Sequence, residues 1–167
     1  MSLSMYQASV PVLSRALTNL AHVLQKGGEH AKAKGVSDEV LLQLRLTPDM
    51  FPLVRQVQTA TDMAKGGVAR LAGVEPLKIA DDETTLAQLD ARIKRVIEYF
   101  GTFKPEQIDG SEERAIVLRM RSGERQFLGQ PYLLDYVLPN VFFHCTTAYD
   151  ILRQIGTDIG KKDFLGA

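Results

Sequence analysis

The sequence predicts a mostly α protein, a four-helix bundle with a long crossover carrying a short β-hairpin before the last helix. Three observations predict it. Four segments repeat apolar residues in alternating steps of three and four, which keeps them on one face of a helix. One short stretch alternates with the period of a strand. The chain has 167 residues, 45 % of them hydrophobic, enough for a core and right for a single domain over residues 1–167.

In the first helical segment the seam is Tyr6, Val10, Leu13, Leu17, Leu20 and Leu24. Pro11 interrupts it, so the helix either starts near Pro11 or starts earlier and kinks there. Gly27-Gly28 weakens the pattern, and Gly35 is expected to end the helical tail. The second segment is read from about Pro48 to Ala72, with Thr47 or Asp49 as N-cap and the prolines in the first turn. Met50, Leu53, Val57, Ala60, Ala64, Val68 and Leu71 form its stripe. Gly73 and Pro76 close it. Gly66-Gly67 inside it costs about 1 kcal/mol per glycine relative to alanine. The simplest reason for such a pair is close approach of a neighbouring helix.

The third segment is read as capped by Asp81 and Asp82, with an acidic start suited to the helix dipole. Leu86, Leu89, Ile93, Val96 and Phe100 are its seam, and Gly101 and Pro105 close it. From Ala115 to Arg121 the period changes to two, with Ile116, Leu118 and Met120 on one side. Ser122-Gly123 then reads as a two-residue turn into Glu124–Leu128, a hairpin that must pack on the bundle. The last helix is read from about Pro131 to Ile155. Pro139 cannot donate its amide to Asp135, so the helix should bend there. The tail carries Ile159, Phe164 and Leu165, which suggest that it docks on the body.

Lys plus Arg and Asp plus Glu are both 20, so the formal net charge is zero and no basic excess points to nucleic acid. No apolar run approaches a membrane span, and no signal peptide is expected. The single cysteine, Cys145, excludes an intrachain disulfide and the cysteine motifs of structural zinc sites. A cytoplasmic location is the default.

The polar residues that invite a functional reading are few. Asn140 and His144 lie four apart on the last helix, in the seam Val137, Val141, His144, Ala148, Ile151, Ile155. A histidine there faces the core, either as a hydrogen-bonded packed residue or as one arm of a site. Two histidines at that spacing can hold zinc, but here one is an asparagine, a poor ligand. Asp49, Arg55, Gln56 and Asp62 on the second helix could line a polar pocket facing the last helix, or form a border row that bonds across the bundle. His22 and His30 have no partner at ligand spacing, and His30 reads as solvated. Cys145 reads as a buried, inert thiol. Arg119, Arg121 and Arg125 make the hairpin locally basic, most simply as a solvated face.

Tyr6 with Ser9–Pro11, the run Arg45–Val57, Ala69–Gly73, the run Pro139–Gly156 and Gly160–Phe164 together resemble one bacterial family. It is the domain of unknown function 1993, within the DinB-like superfamily of metalloenzymes. The resemblance spans nearly the whole chain and implies a single DinB-like bundle with a long crossover, often a homodimer. It also implies a divalent metal held by one histidine from the second helix and an HxxxH pair on the fourth. Here His144 takes the place of the second histidine of that pair, Asn140 the first, and Gln56 stands in the helix-two region. Two of three ligands are thus amides.

The expectation is a soluble protein with a degenerate metal site, acting as a binding or interaction protein. Its candidate pocket is Gln56, Asn140, His144, Asp49, Arg55 and Asp62. No cofactor is expected, the small-molecule ligand is unknown, and neither nucleic acid nor membrane is a partner. The alternative is a divalent-metal enzyme, zinc or nickel, of thiol-transferase or hydrolase type. His144 would then be ligand or general base, with Asp49 or Asp62 supplying the missing charge.

Overall fold

The structure, a computed structural model, describes residues 3–120 and 123–166. Helix α1 (Met5–Ala33) is followed by the short α2 (Asp38–Gln43), then α3 (Leu53–Leu71) and α4 (Leu86–Phe100). A single turn, α5 (Pro105–Ile108), leads into β1 (Ala115–Met120) and β2 (Gly123–Leu128). The last long helix is built from three pieces: a turn α6 (Gly129–Pro131), a π-helical segment (Tyr132–Val137) and α7 (Leu138–Gln154). A terminal turn, α8 (Lys161–Leu165), returns to α1.

Helices α1, α3, α4 and α7 form the bundle. Each of α1 and α3 packs on both α4 and α7, which puts α1 and α3 at diagonal corners. The chain therefore crosses the bundle end twice, through the α2 region and through the hairpin segment. All four seams point inward: Leu13, Leu17, Val57, Val68, Ile93, Phe100, Val141 and Ile151 are buried. No helix among the described residues is long and apolar enough to cross a membrane.

Helix α1 starts well before Pro11. Ser4 caps it, and Gln7 completes a reciprocal capping box. Pro11 is exposed, so the carbonyl it leaves unpaired can meet water. The helix also runs through Gly27-Gly28, where the Leu152 and Leu86 side chains lie against bare backbone.

Two helix starts differ from expectation. The second bundle helix begins at Leu53 and not at Pro48, because Pro48 to Pro52 form an irregular approach that ends on Pro52 as N-cap. The third begins at Leu86, capped by Thr85 with Gln88 completing a capping box. Asp81 and Asp82 are not its cap. They lie upstream in a loop, where Asp81 bonds Arg55 and Arg92. The turns α2 and α5 have too few residues to show a period, so the sequence reading missed both.

The hairpin is antiparallel, with Met120 opposite Gly123 and Ala115 opposite Leu128. Gly123 thus belongs to the second strand rather than to the expected Ser122-Gly123 turn. Arg121 and Ser122 lie outside the described residues. Ile116 and Leu118 are buried, and Phe127 packs on Tyr132 and Tyr136, which seats the hairpin on the π-helical segment. That segment absorbs the disruption from Pro139: one wide turn precedes the proline, and regular α-helix resumes behind it. In the tail Ile159 is buried, while Leu165 is half exposed. Asp163 receives Lys26 at 2.9 Å and His22 at 3.0 Å. The Gly160 amide, with those two side chains, holds the Asp163 carboxyl well below its usual range.

The Gly66-Gly67 pair has two separate causes. A Cβ on Gly67 would lie 2.6 Å from Val137 Cγ1, so α3 and the π-helical segment touch there. A Cβ on Gly66 would meet the Arg70 guanidinium of its own helix. Gly67→Ala gains about 1 kcal/mol of helix propensity. It also presses a methyl onto a stiff β-branched side chain, so a net loss of about 1–2 kcal/mol is expected in urea unfolding. In a Val137→Ala background the same substitution should be neutral or stabilising, which a double-mutant cycle measures.

Candidate functional site

The heptad-like seams of α3 and α7 bring Gln56 and His144 together across the bundle. Both are buried, and His144 Nδ1 lies 2.7 Å from Gln56 Oε1. The amide orientation is fixed from the other side, since Gln56 Nε2 donates to the Phe51 carbonyl at 3.0 Å. Gln56 Oε1 is then the acceptor, and His144 Nδ1 carries the donated hydrogen. In the neutral ring this leaves the lone pair on Nε2, which has no hydrogen-bond partner among the described residues. Burial pushes the His144 pKa below its ordinary value.

The other candidates do not join this pair. Asn140 turns back along its own helix and donates to the Tyr136 carbonyl at 2.6 Å, one residue after the carbonyl that Pro139 leaves without an amide. Its role is local to the π-helical turn and the helix that follows it. Asp49 is exposed and accepts from Thr47 at 2.7 Å, which holds its carboxyl low. Arg55 donates to Asp81 and Gln58. Asp62 faces α4 instead of α7. By their hydrogen bonds among the described residues, the six therefore fall into separate groups. His30 is not simply solvated: its Nε2 donates to the Ile155 carbonyl at 3.0 Å. Cys145 is buried and faces apolar surroundings, which push its thiol up to about 12.

The residue the sequence reading missed is Arg92. It is 3 % exposed and sits between α3 and α4. Its guanidinium donates to Thr61 Oγ1 (2.7 Å), the Ala80 carbonyl (2.9 Å), Glu83 (2.9 Å) and Asp62 (2.6 Å), and lies 3.0 Å from Asp81. Lys65 adds a second cation on Asp62 at 2.9 Å. Burial works against the charge on Arg92, but the Glu83 hydrogen bond and the charges of Asp62, Glu83 and Asp81 outweigh it and raise the pKa. One signal was available. Arg92 lies three after Leu89 and four before Val96, which places a charge in the seam. Such a charge needs fixed acidic partners, and the acidic run Asp81–Glu83 supplies two of them.

Among the described residues, no group of three or more His, Cys, Asp or Glu side chains is arranged to hold a metal ion. Chemically, the Gln56–His144 pair is a closed donor–acceptor relay with one open imidazole lone pair. Of the two carboxylates proposed to join it, Asp49 is engaged by Thr47 and Asp62 by Arg92 and Lys65.

Two measurements probe these groups. Arg92→Met leaves Glu83 buried opposite lost partners. An expected loss is about 3 kcal/mol by denaturant titration, the low end for a broken buried pair because Asp62 and Asp81 stay partly wet. For His144 the folded pKa is below the unfolded one, so below about pH 6.5 the unfolded chain binds the extra proton first. Stability should therefore fall as pH drops from neutrality through the folded pKa, and this part of the slope should vanish in His144→Gln.

The chain matches the family model described as a domain of unknown function (DUF1993) over residues 5–165. No protein of curated function matches it. It is similar to a DinB family member from Shewanella denitrificans, whose crystal structure was determined at 1.83 Å resolution. The two are 40 % identical, the match covers 97 % of this chain and 92 % of that one, and the TM-score is 0.88. With nearly the whole sequence matched and the helical bundle shared, the chain belongs to the DUF1993 family and has the fold of a DinB family member.

Proposed function

We propose that this protein is a binding protein in which the metal site of the DinB-like fold has degenerated into an internal hydrogen-bonded clasp. The observation that carries this reading is the engagement of both amides that stand in ligand places. Gln56 is held between His144 and the Phe51 carbonyl, and Asn140 is held by the Tyr136 carbonyl. Amide side chains are poor ligands for zinc or nickel even when free. That leaves one imidazole, which is too few donors for a stable divalent site. The role that fits is recognition of a small molecule or a protein partner, with no resident cofactor. A cytoplasmic, reducing location suits the lone buried thiol. A homodimer belongs to the same reading, and the exposed Phe142 and Phe143 on α7 offer an apolar face for it.

One observation favours the alternative, a divalent-metal enzyme of thiol-transferase or hydrolase type. The tautomer fixed by Gln56 leaves Nε2 of His144 open, and metal-bound histidines commonly donate their other nitrogen in this way. To supply the missing charge, Asp49 would have to leave Thr47, or Asp62 would have to leave Arg92 and Lys65.

Metal content by mass spectrometry on untagged, chelator-free protein separates the two. The expected result is far below one equivalent of zinc, nickel or manganese. His144→Ala should leave that content unchanged and destabilise the fold by about 1–3 kcal/mol through the orphaned Gln56 carbonyl. Metal near one equivalent that disappears in His144→Ala would overturn the clasp reading and revive the enzyme one, to be followed by thiol-transfer and hydrolysis assays.

A further inference from the structure

A polar cleft lies away from His144, between α3, the hairpin and the π-helical segment. Its volume is about 290 Å³, and its walls include the cations Lys65, Arg70 and Arg119, the carboxylate of Asp62, Gly66 and the tyrosines Tyr132 and Tyr136. The charges around it do not balance. Lys65 is neutralised by Asp62, and Arg119 by Glu124. Arg70 has no carboxylate within ion-pair distance among the described residues. Its Nη1 donates to the Tyr132 hydroxyl at 3.1 Å, while Nε and Nη2 have no hydrogen-bond partner there.

A gap on one side and the Tyr132 hydroxyl on the other set where that cation lies. The guanidinium folds back over Gly66, where a Cβ would stand 2.5 Å from Nη1. A glycine in mid-helix costs about 1 kcal/mol relative to alanine, so the backbone gives up helix stability to leave room for this side chain. On the other side Tyr132 is buried, and its phenol is held in register by the π-helical turn. That turn also stacks Tyr132 and Tyr136, with ring centroids 5.9 Å apart and planes 20° from parallel. Wide turns of this kind occur frequently at functional sites. Leu118, Met120 and Pro76 supply apolar walls.

We propose that this cleft binds a small organic anion, a carboxylate on a flat apolar body, with Arg70 as its principal recognition residue. A guanidinium edge with two open donors matches a carboxylate in a forked pair. The partly exposed Tyr136, backed by the buried Tyr132, and the apolar wall suit the body of the ligand. The inference uses none of the residues of the Gln56–His144 clasp and holds whether or not a metal binds there.

The test is an NMR titration of the whole chain with benzoate, acetate and benzamide at constant ionic strength. Benzoate should give saturable shifts at residues lining the cleft, acetate weaker ones, and benzamide none. Arg70→Gln should weaken benzoate by roughly tenfold or more, as expected for loss of a charge-assisted forked pair. Gly66→Ala keeps the charge but displaces it. It should raise the unfolding midpoint while weakening benzoate, so lost binding cannot be lost folding. Equal response to benzamide, no saturable response to benzoate, or unchanged benzoate affinity in either variant would overturn the assignment.

Discussion

The contact between α3 and α7 sets the terms for the rest of the molecule. At one end Val137 lies on the bare backbone of Gly67; at the other His144 donates to Gln56. Both contacts need the helix backbones close and antiparallel. Pro139 sits between them on α7 and cannot take part in a regular helical ladder, so the preceding segment widens into a π-helical turn. That turn fixes where Tyr132 and Tyr136 face, and through Phe127 where the hairpin sits. One proline and one glycine thus position the crossover as well as the seam.

Two ways of handling buried polarity stand side by side in the bundle. Around Arg92 each cation meets an acid, and the group ties the loop before α4 to α3. Around His144 no charge is needed: a neutral ring meets an amide, and burial favours that neutrality. Arg70 follows neither pattern, since it meets no carboxylate among the described residues and uses one donor, toward Tyr132.

The seams were legible because period 3.6 is a local property of the chain. Val57, Ala64, Val68, Leu89, Ile93, Val141 and Ile151 were placed inward from spacing alone, and they are buried. The hairpin was legible for the same reason at period two. Helix starts were not, because Asp81 and Asp82 are good caps in any local reading and yet serve Arg92 and Arg55 across space. Asn140 and Asp62 were placed correctly on their helices, but the direction of their hydrogen bonds depends on which neighbour is nearer. Asn140 found its own backbone, and Asp62 found α4.

The sequence by itself determined the four-helix architecture, an irregularity in the last helix at Pro139 and the burial of His144 and Cys145. These follow from side-chain period, from a missing amide hydrogen and from position in an apolar seam. Only the tertiary structure decided that Gln56 is the partner of His144, that Arg92 joins three acids, and that Gly66 makes room for Arg70. Each of these pairs residues far apart in the chain or on a surface whose facing neighbour is set by packing. Hydrogen bonds and ion pairs act over a few ångströms, so only the packed geometry selects among the partners that the sequence makes available.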